Sequence, residues 1–341
     1  MSKKQTIKID IDTASRTGNV NVLTKWLSSG HKLRYTVYAI DSASEHNHID
    51  VLDWWLNSGL QLRYSKEAIY SACENGHIDT LDWWQKSGLK LKYTYDAIDK
   101  ACKNCHIDVL NWWKNSTLKL KYSKECIHYA SKKGHINVLD WWLHSGLKLK
   151  YYAHAINNAC NKKRIDVLNW WLKSGLKLSY SDGLIDKASA NGDIDVLKWW
   201  FKSDLDFDYT NRAVDEASAN GYVDVLELWF VSGPDLKYTD YAIDYASANG
   251  HVDVLQLWFE SQVKLKYTDH AIKYATKNGH RNVLLWWDDH QKRLDLKYNK
   301  DTKYYANDKK TKLWWENFEA RLRAKNALLD AENMLKELRK R

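Results

Sequence analysis

Six histidines occupy one place in a recurring pattern: His48, His77, His106, His135, His251 and His280. A row of imidazoles could bind metal ions or relay protons. Cys102 and Cys105 have the CxxC spacing of redox and metal motifs. Adjacent tryptophans such as Trp83 and Trp84 could clamp an aromatic ligand. Lys90, Lys92, Lys119, Lys121, Lys148, Lys150 and Lys177 could line up against phosphates. The neighbouring copies weaken most of these chemistries. Arg164, Asp193 and Tyr222 replace the histidine elsewhere, so the column reads as part of a turn rather than a metal series. The CxxC pair has no second pair and no βαβ context. Cys73, Cys102 and Cys160 share a position that holds Ser44, Ser131 and Ser189 in other copies, which suits a small packing residue. There is no phosphate loop and no nucleophile elbow. The sequence therefore assigns no catalytic residue and implies no cofactor, metal or small-molecule substrate.

What positions all these columns is a repeat. The second tryptophan of the pair recurs every 29 residues at Trp26, Trp55, Trp84, Trp113, Trp142, Trp171, Trp200, Trp229, Trp258 and Trp287, and Trp315 follows 28 residues later. All 19 tryptophans fall in this motif, which makes eleven units. A fixed period of this size marks stacked supersecondary units, each touching mainly its neighbours. The single proline and 14 glycines leave few breakers, so most of the chain can be helical.

One unit, "SKEAIYSACENGHIDTLDWWQKSGLKLKY" from Ser65, divides into two helices and an extended link. Ser65 suits an N-cap. Ala68, Ile69 and Ala72 make the buried stripe of the first helix, and Gly76 its left-handed stop. Ile78, Leu81 and Trp84 are the expected core stripe of the second helix. Leu89, Leu91 and Tyr93 alternate with Lys90 and Lys92, which predicts an extended segment. The inner tryptophans are expected to be core. The outer column holds Trp54, Trp83, Trp112, Trp141, Trp170, Trp199, Trp286 and Trp314 but also Lys25, Leu228 and Leu257, so it is expected to be half-exposed.

The stretch "YAIDYASANGHVDVLQLWFES", Tyr241 to Ser261, resembles the ankyrin repeat. Ala246 and Ser247 stand for the paired alanines, and Gly250 and His251 for the Gly-His of the turn. Similar matches run from about residue 7 to 298. The period of 29 is shorter than the family's length of about 33, and the Thr-Pro of its first helix is absent. The Trp-Trp pair is similar to short repeats of giant amoeba-infecting DNA viruses of the mimivirus type. Scarce Pro and Gly with abundant Asn, Lys, Ile and Tyr would suit an AT-rich genome of that sort. The resemblance implies an all-α, ankyrin-like solenoid. It implies a non-catalytic scaffold binding a protein on a concave first-helix face, with a host protein as partner for a virus.

On the first helix, positions i, i+4 and i+7 vary from copy to copy, as a recognition surface requires. The richest spot is Tyr241, Tyr245, His270 and Tyr274, and Tyr129 is a further candidate. The alternative is a nucleic-acid-binding solenoid using Lys90, Lys92, Lys119, Lys121, Lys148 and Lys150. A net charge of +9 keeps that alternative open, but lysines on a link also simply solvate an edge.

Residues 1–315 are expected to form the solenoid and 316–341 a charged capping helix containing Leu322, Leu328, Leu329, Leu335 and Leu338, with a dimerising coil as the alternative and a monomer expected. No run of 18 apolar residues exists, so no membrane-spanning helix is expected. The start "MSKKQTIKIDID" lacks the apolar core of a signal peptide. An odd count of five cysteines argues for reduced thiols. An intracellular place follows: the cytoplasm, or for a virus the host cytoplasm or the virion.

Overall fold

The computed structural model describes residues 9–152 and 155–340, with side chains described as far as 336. The chain divides into two compact units, Met1–Tyr180 and Ser181–Arg341. Each is an all-α helical-repeat solenoid, and no strand occurs among the described residues. None of the described helices is long and apolar enough to cross a membrane.

The unit beginning at Ser65 shows how the sequence builds a layer. Its helices are Glu67–Asn75 and Ile78–Lys86. Ser65 Oγ accepts the Glu67 backbone N–H at 3.0 Å, capping the helix from one residue outside its first turn. Gly76 closes that helix at φ 77°. A Cβ there would stand 2.7 Å from His106 Nδ1 in the next copy, so glycine serves both the backbone and the close approach. Asn47 and Cys105 take the same place with φ of 56° and 64°.

Ala68, Ile69 and Ala72 are buried, as their spacing predicts. In the second helix the core stripe differs from expectation. Leu81 and Trp84 are buried, but their partner is Thr80, whose column elsewhere holds Val51, Val109 or Val138, and Ile78 is only half-buried. The reason is helical geometry. Six residues at 100° each leave Ile78 about 120° away from Trp84, whereas Thr80 and Leu81 flank it closely.

The inner tryptophans from Trp55 to Trp287 are all less than 2% exposed. Each buried indole N–H needs an acceptor. Trp84 donates to Ser44 Oγ at 3.0 Å, Trp142 to Cys102 Sγ at 3.2 Å and Trp258 to Ser218 Oγ at 3.0 Å. The Ser/Cys column is thus the acceptor of the neighbouring layer's tryptophan, beyond being small. Trp26, in the first copy, is half-buried and donates to the Ile9 carbonyl at 2.8 Å.

The outer column divides. Trp54, Trp83, Trp112 and Trp141 are half-buried as expected, whereas Trp170, Trp199, Trp286 and Trp314 are buried. Local neighbours cover two of these. The Trp286 ring stacks on His290 at 4.4 Å, and the Trp314 ring on Phe318 at 5.1 Å.

The last copy departs from the pattern. Its first helix is a 3-10 helix, Lys300–Tyr305, and its second begins the helix Lys309–Lys340. That helix carries Trp314 and Trp315 and runs uninterrupted past residue 316. The side chain of Leu338 lies outside the described ones.

Candidate partner-binding surface

Two edges of the stacks carry the residues singled out in the sequence, and they differ in how their polar groups are engaged. On the link edge, tyrosine hydroxyls in both units donate to a carbonyl in the following link. Tyr93 reaches Lys119 at 3.0 Å, Tyr122 reaches Lys148 at 2.8 Å, and Tyr267 reaches Asp295 at 2.9 Å. The second lysine of each link turns back. Lys92 Nζ donates to the Tyr64 carbonyl at 2.7 Å and stands 4.2 Å from that ring's centroid. Lys121 does the same on Tyr93, and Lys150 on Tyr122. In the second unit Lys237, Lys266 and Lys297 repeat the contact on Tyr209, Tyr238 and Tyr267. These lysines hold one layer to the next through a charged hydrogen bond and a cation–π contact. Lys90, Lys119 and Lys148, the other half of the row, point outward and are exposed. Shallow hollows between successive links of the second unit are walled by the same Tyr and Lys groups.

The histidine column serves the turns. The Nε2 of His77 donates to the Glu45 carbonyl at 3.0 Å, that of His106 to Glu74 at 2.9 Å, and that of His135 to Lys103 at 3.0 Å. Burial, foremost, holds His135 below the usual imidazole range. Neighbouring asparagines make the parallel bond, as Asn104 does to the Glu74 carbonyl at 2.8 Å. The cysteines carry no disulfide. Burial pushes the Cys73 thiol up to about 12, which leaves it protonated and unreactive at neutral pH.

A third column was missed in the sequence. Asp41, Asp99, Asp186, Asp215 and Asp244 are buried in first helices. Each accepts from the backbone and hydroxyl of the Ser or Thr that opens the next copy. Asp244 Oδ1 is 2.8 Å from Thr268 N, and its Oδ2 is 2.5 Å from Thr268 Oγ1. The cap of one helix is therefore locked to the helix before it. Burial raises the pKa of Asp41, Asp99 and Asp244, and the Ser and Thr hydrogen bonds partly offset it. The "AID" at Asp41, Asp99 and Asp244, with "LID" at Asp186 and "AVD" at Asp215, was the available signal. It is broken where Tyr70, His128, Asn157 and Lys273 take the position.

The first-helix edge of the second unit is different. Tyr241 and Tyr245 stack with ring centroids 3.8 Å apart and planes 18° from parallel. Tyr245 lies 6.2 Å from Tyr274, and His270 lies 5.2 Å from Tyr274. The four residues chosen from the sequence are thus one cluster on two successive helices, Tyr241–Asn249 and His270–Lys277. The three tyrosines are half-buried and His270 is exposed. Burial, then Glu216, raises the Tyr241 phenol, so it stays a neutral donor at neutral pH. Lys273 extends the cluster, with its Nζ 6.0 Å from the Tyr274 ring and 5.2 Å from that of Tyr305. Tyr304 and Tyr305 are exposed. Periodicity could not place Tyr305, because the 3-10 helix that carries it breaks the register. Tyr129 belongs to the first unit, where its ring neighbours are His128 at 5.6 Å and the Lys103 ammonium at 6.0 Å.

A family model described as ankyrin repeats in many copies matches residues 40–83 and 185–228. No curated protein matches the chain. Among solved structures, the crystal structure of the human ASB11 ankyrin repeat domain is similar at 16% identity, over 64% of this chain and 96% of that one. Its TM-score of 0.35 is too low to carry an argument. The two matched stretches are similar to ankyrin repeats, and the 29-residue unit carries the same columns through the copies between and beyond them.

Proposed function

We propose that this protein is a non-catalytic scaffold that captures a protein partner on the first-helix face of its second unit. Ankyrin repeats generally mediate protein–protein interaction, which sets the class. The observation that carries the reading is the cluster of Tyr241, Tyr245, His270 and Tyr274. Those rings contact one another, and three phenols and an imidazole are gathered on one patch. Tyrosine gives a binding surface a large rigid apolar area with a hydrogen-bonding end and little side-chain entropy to lose. First helices pack on one another more closely than second helices do. That closer packing supports reading this face as the concave binding side that the resemblance implies. Tyr129 is the corresponding candidate in the first unit. If the Trp-Trp repeats are those of a giant virus, the partner is a host protein.

The rival, nucleic acid held by the lysine row, loses half its cations to structural contacts. Lys92, Lys121 and Lys150 each already bind a carbonyl and a ring. The test is a peptide-display selection on the intact protein, followed by binding of the selected ligands to two variants. Tyr245→Ala with Tyr274→Ala should weaken those ligands at least about tenfold, a loss of roughly 1.4 kcal/mol. Lys90→Glu with Lys119→Glu and Lys148→Glu should leave them within about twofold. Loss of binding in the lysine variant alone, or salt-dependent capture of RNA or DNA, would contradict the proposal.

A further inference from the structure

The helix Lys309–Lys340 leaves its stack partway along. Phe318 is buried, Leu322 is half-buried, and Arg321 is paired with Asp288. From 323 to 336 every residue is exposed, a rod of about 20 Å at 1.5 Å per residue. Charges alone do not cover this rod. Leu328 is 63% exposed, Met334 69% and Leu335 55%. Ala324, Leu328, Ala331 and Leu335 follow one another at steps of four, three and four residues with Ala327 and Met334 beside them, which draws a single apolar stripe along one face. Leu329 lies about 100° around the helix from Leu328, off the stripe.

The stripe is self-complementary in one orientation. Two copies laid antiparallel about a twofold axis between residues 329 and 330 place Leu328 against Ala331 of the other copy and Leu335 against Ala324. The axis generates each pair twice, so every core layer sets a large residue against a small one, which is how facing side chains fill a seam without voids. On one flank Ala327 meets Met334, again small against large. On the other flank Lys325 meets Glu332, and the axis makes that ion pair twice. The parallel alternative sets Leu328 on Leu328 and Ala331 on Ala331, and leaves Lys325 with no Glu332 opposite it. From this agreement of size and charge, we propose that residues 323–336 form an antiparallel coiled-coil dimer between two copies of this chain. An isologous twofold contact is the commonest way for a soluble chain to self-associate. The expectation of a capped monomer gives way to a dimer tethered through its last helix.

The seam is short, at the small end of specific interfaces, so the dimer should be populated at high protein concentration and dissociate on dilution. Sedimentation equilibrium of the intact protein tests this. Leu328→Glu with Leu335→Glu should abolish the dimer at an unchanged melting temperature, since both side chains are exposed in the single copy. Lys325→Glu alone places two like-charged pairs in the seam and should weaken dimerisation about tenfold. Adding Glu332→Lys to it should restore the original strength. Disulfide trapping reads the orientation. Lys325→Cys mixed with Glu332→Cys should cross-link as the heterodimer, and neither should cross-link to itself. A chain monomeric up to about 1 mM, a dimer indifferent to the double Glu substitution, or Ala324→Cys cross-linking to itself, as a parallel seam requires, would each overturn the proposal.

Discussion

The link edge and the first-helix edge both looked like binding surfaces in the sequence, one cationic and one aromatic. The folded chain separates them by what their polar groups already do. On the link edge, Tyr122 donates to Lys148 and Lys150 donates back to Tyr122, so side chain and backbone are tied across layers. On the first-helix edge of the second unit, Tyr241, Tyr245 and Tyr274 contact mainly one another. The lesson is that a periodic charge or ring is not by itself a free one. In a repeat stack the period is also how one layer is fastened to the next. Substitutions on the fastened side should lower stability, whereas substitutions on the first-helix patch should lower binding.

The largest effect belongs to the buried tryptophans. Trp142→Ala should cost about 3–5 kcal/mol in denaturant unfolding, through lost burial and an orphaned layer contact. Trp141→Ala should cost about 1–2 kcal/mol, because that ring is half-buried and its N–H bond to Asn111 lies nearer the surface. Trp286→Ala should fall near Trp142, since its ring is only 5% exposed. Equal losses at Trp141 and Trp142 would break the distinction between the columns.

Next is the link. Tyr122→Phe removes one interlayer hydrogen bond and should cost about 1 kcal/mol. Lys150→Met keeps the stem over the ring but removes the bond to the Tyr122 carbonyl, and should cost about 0.5–1 kcal/mol. If both melt like the wild type, the link edge is merely solvated and the contrast fails.

The smallest effect is a pH dependence. Burial raises Asp244 above its unfolded value. Between the unfolded and folded pKa the native state therefore holds more protons than the unfolded chain. Stability from this group is present below the unfolded pKa and is lost as pH rises through the folded one. Asp244→Asn should flatten that part of the curve of unfolding free energy, which falls as pH rises from the ordinary carboxylate range. A wild-type curve rising with pH at this site would reverse the assignment.

Much of the architecture was legible because the repeat supplies eleven readings of one layer. The first-helix stripe of Ala68, Ile69 and Ala72 and the Gly76 stop follow from local rules that every copy restates. The core stripe of the second helix was misread at Ile78, because a six-residue step looks periodic while drifting around the helix. The buried state of Trp286 and Trp314 was hidden for a different reason. His290 and Phe318, which cover them, replace the serine that Ser87 and Ser145 hold at that position in other copies. The Asp244–Thr268 lock joins residues 24 apart, a spacing that acquires meaning only once first helices are known to sit side by side. The tyrosine patch was found by adding the period to a position, and Tyr305 escaped because the last copy leaves the period.

The central claim is that recognition sits on the tyrosine patch and fastening on the lysine edge. Isothermal titration of one selected ligand into the wild type, the Tyr245→Ala/Tyr274→Ala variant and the Lys90→Glu/Lys119→Glu/Lys148→Glu variant tests it most directly. The expected result is at least about a tenfold weaker Kd for the tyrosine variant and a change within about twofold for the lysine variant. A ligand that binds the tyrosine variant at full strength, or loses its binding with the lysines, would contradict the account.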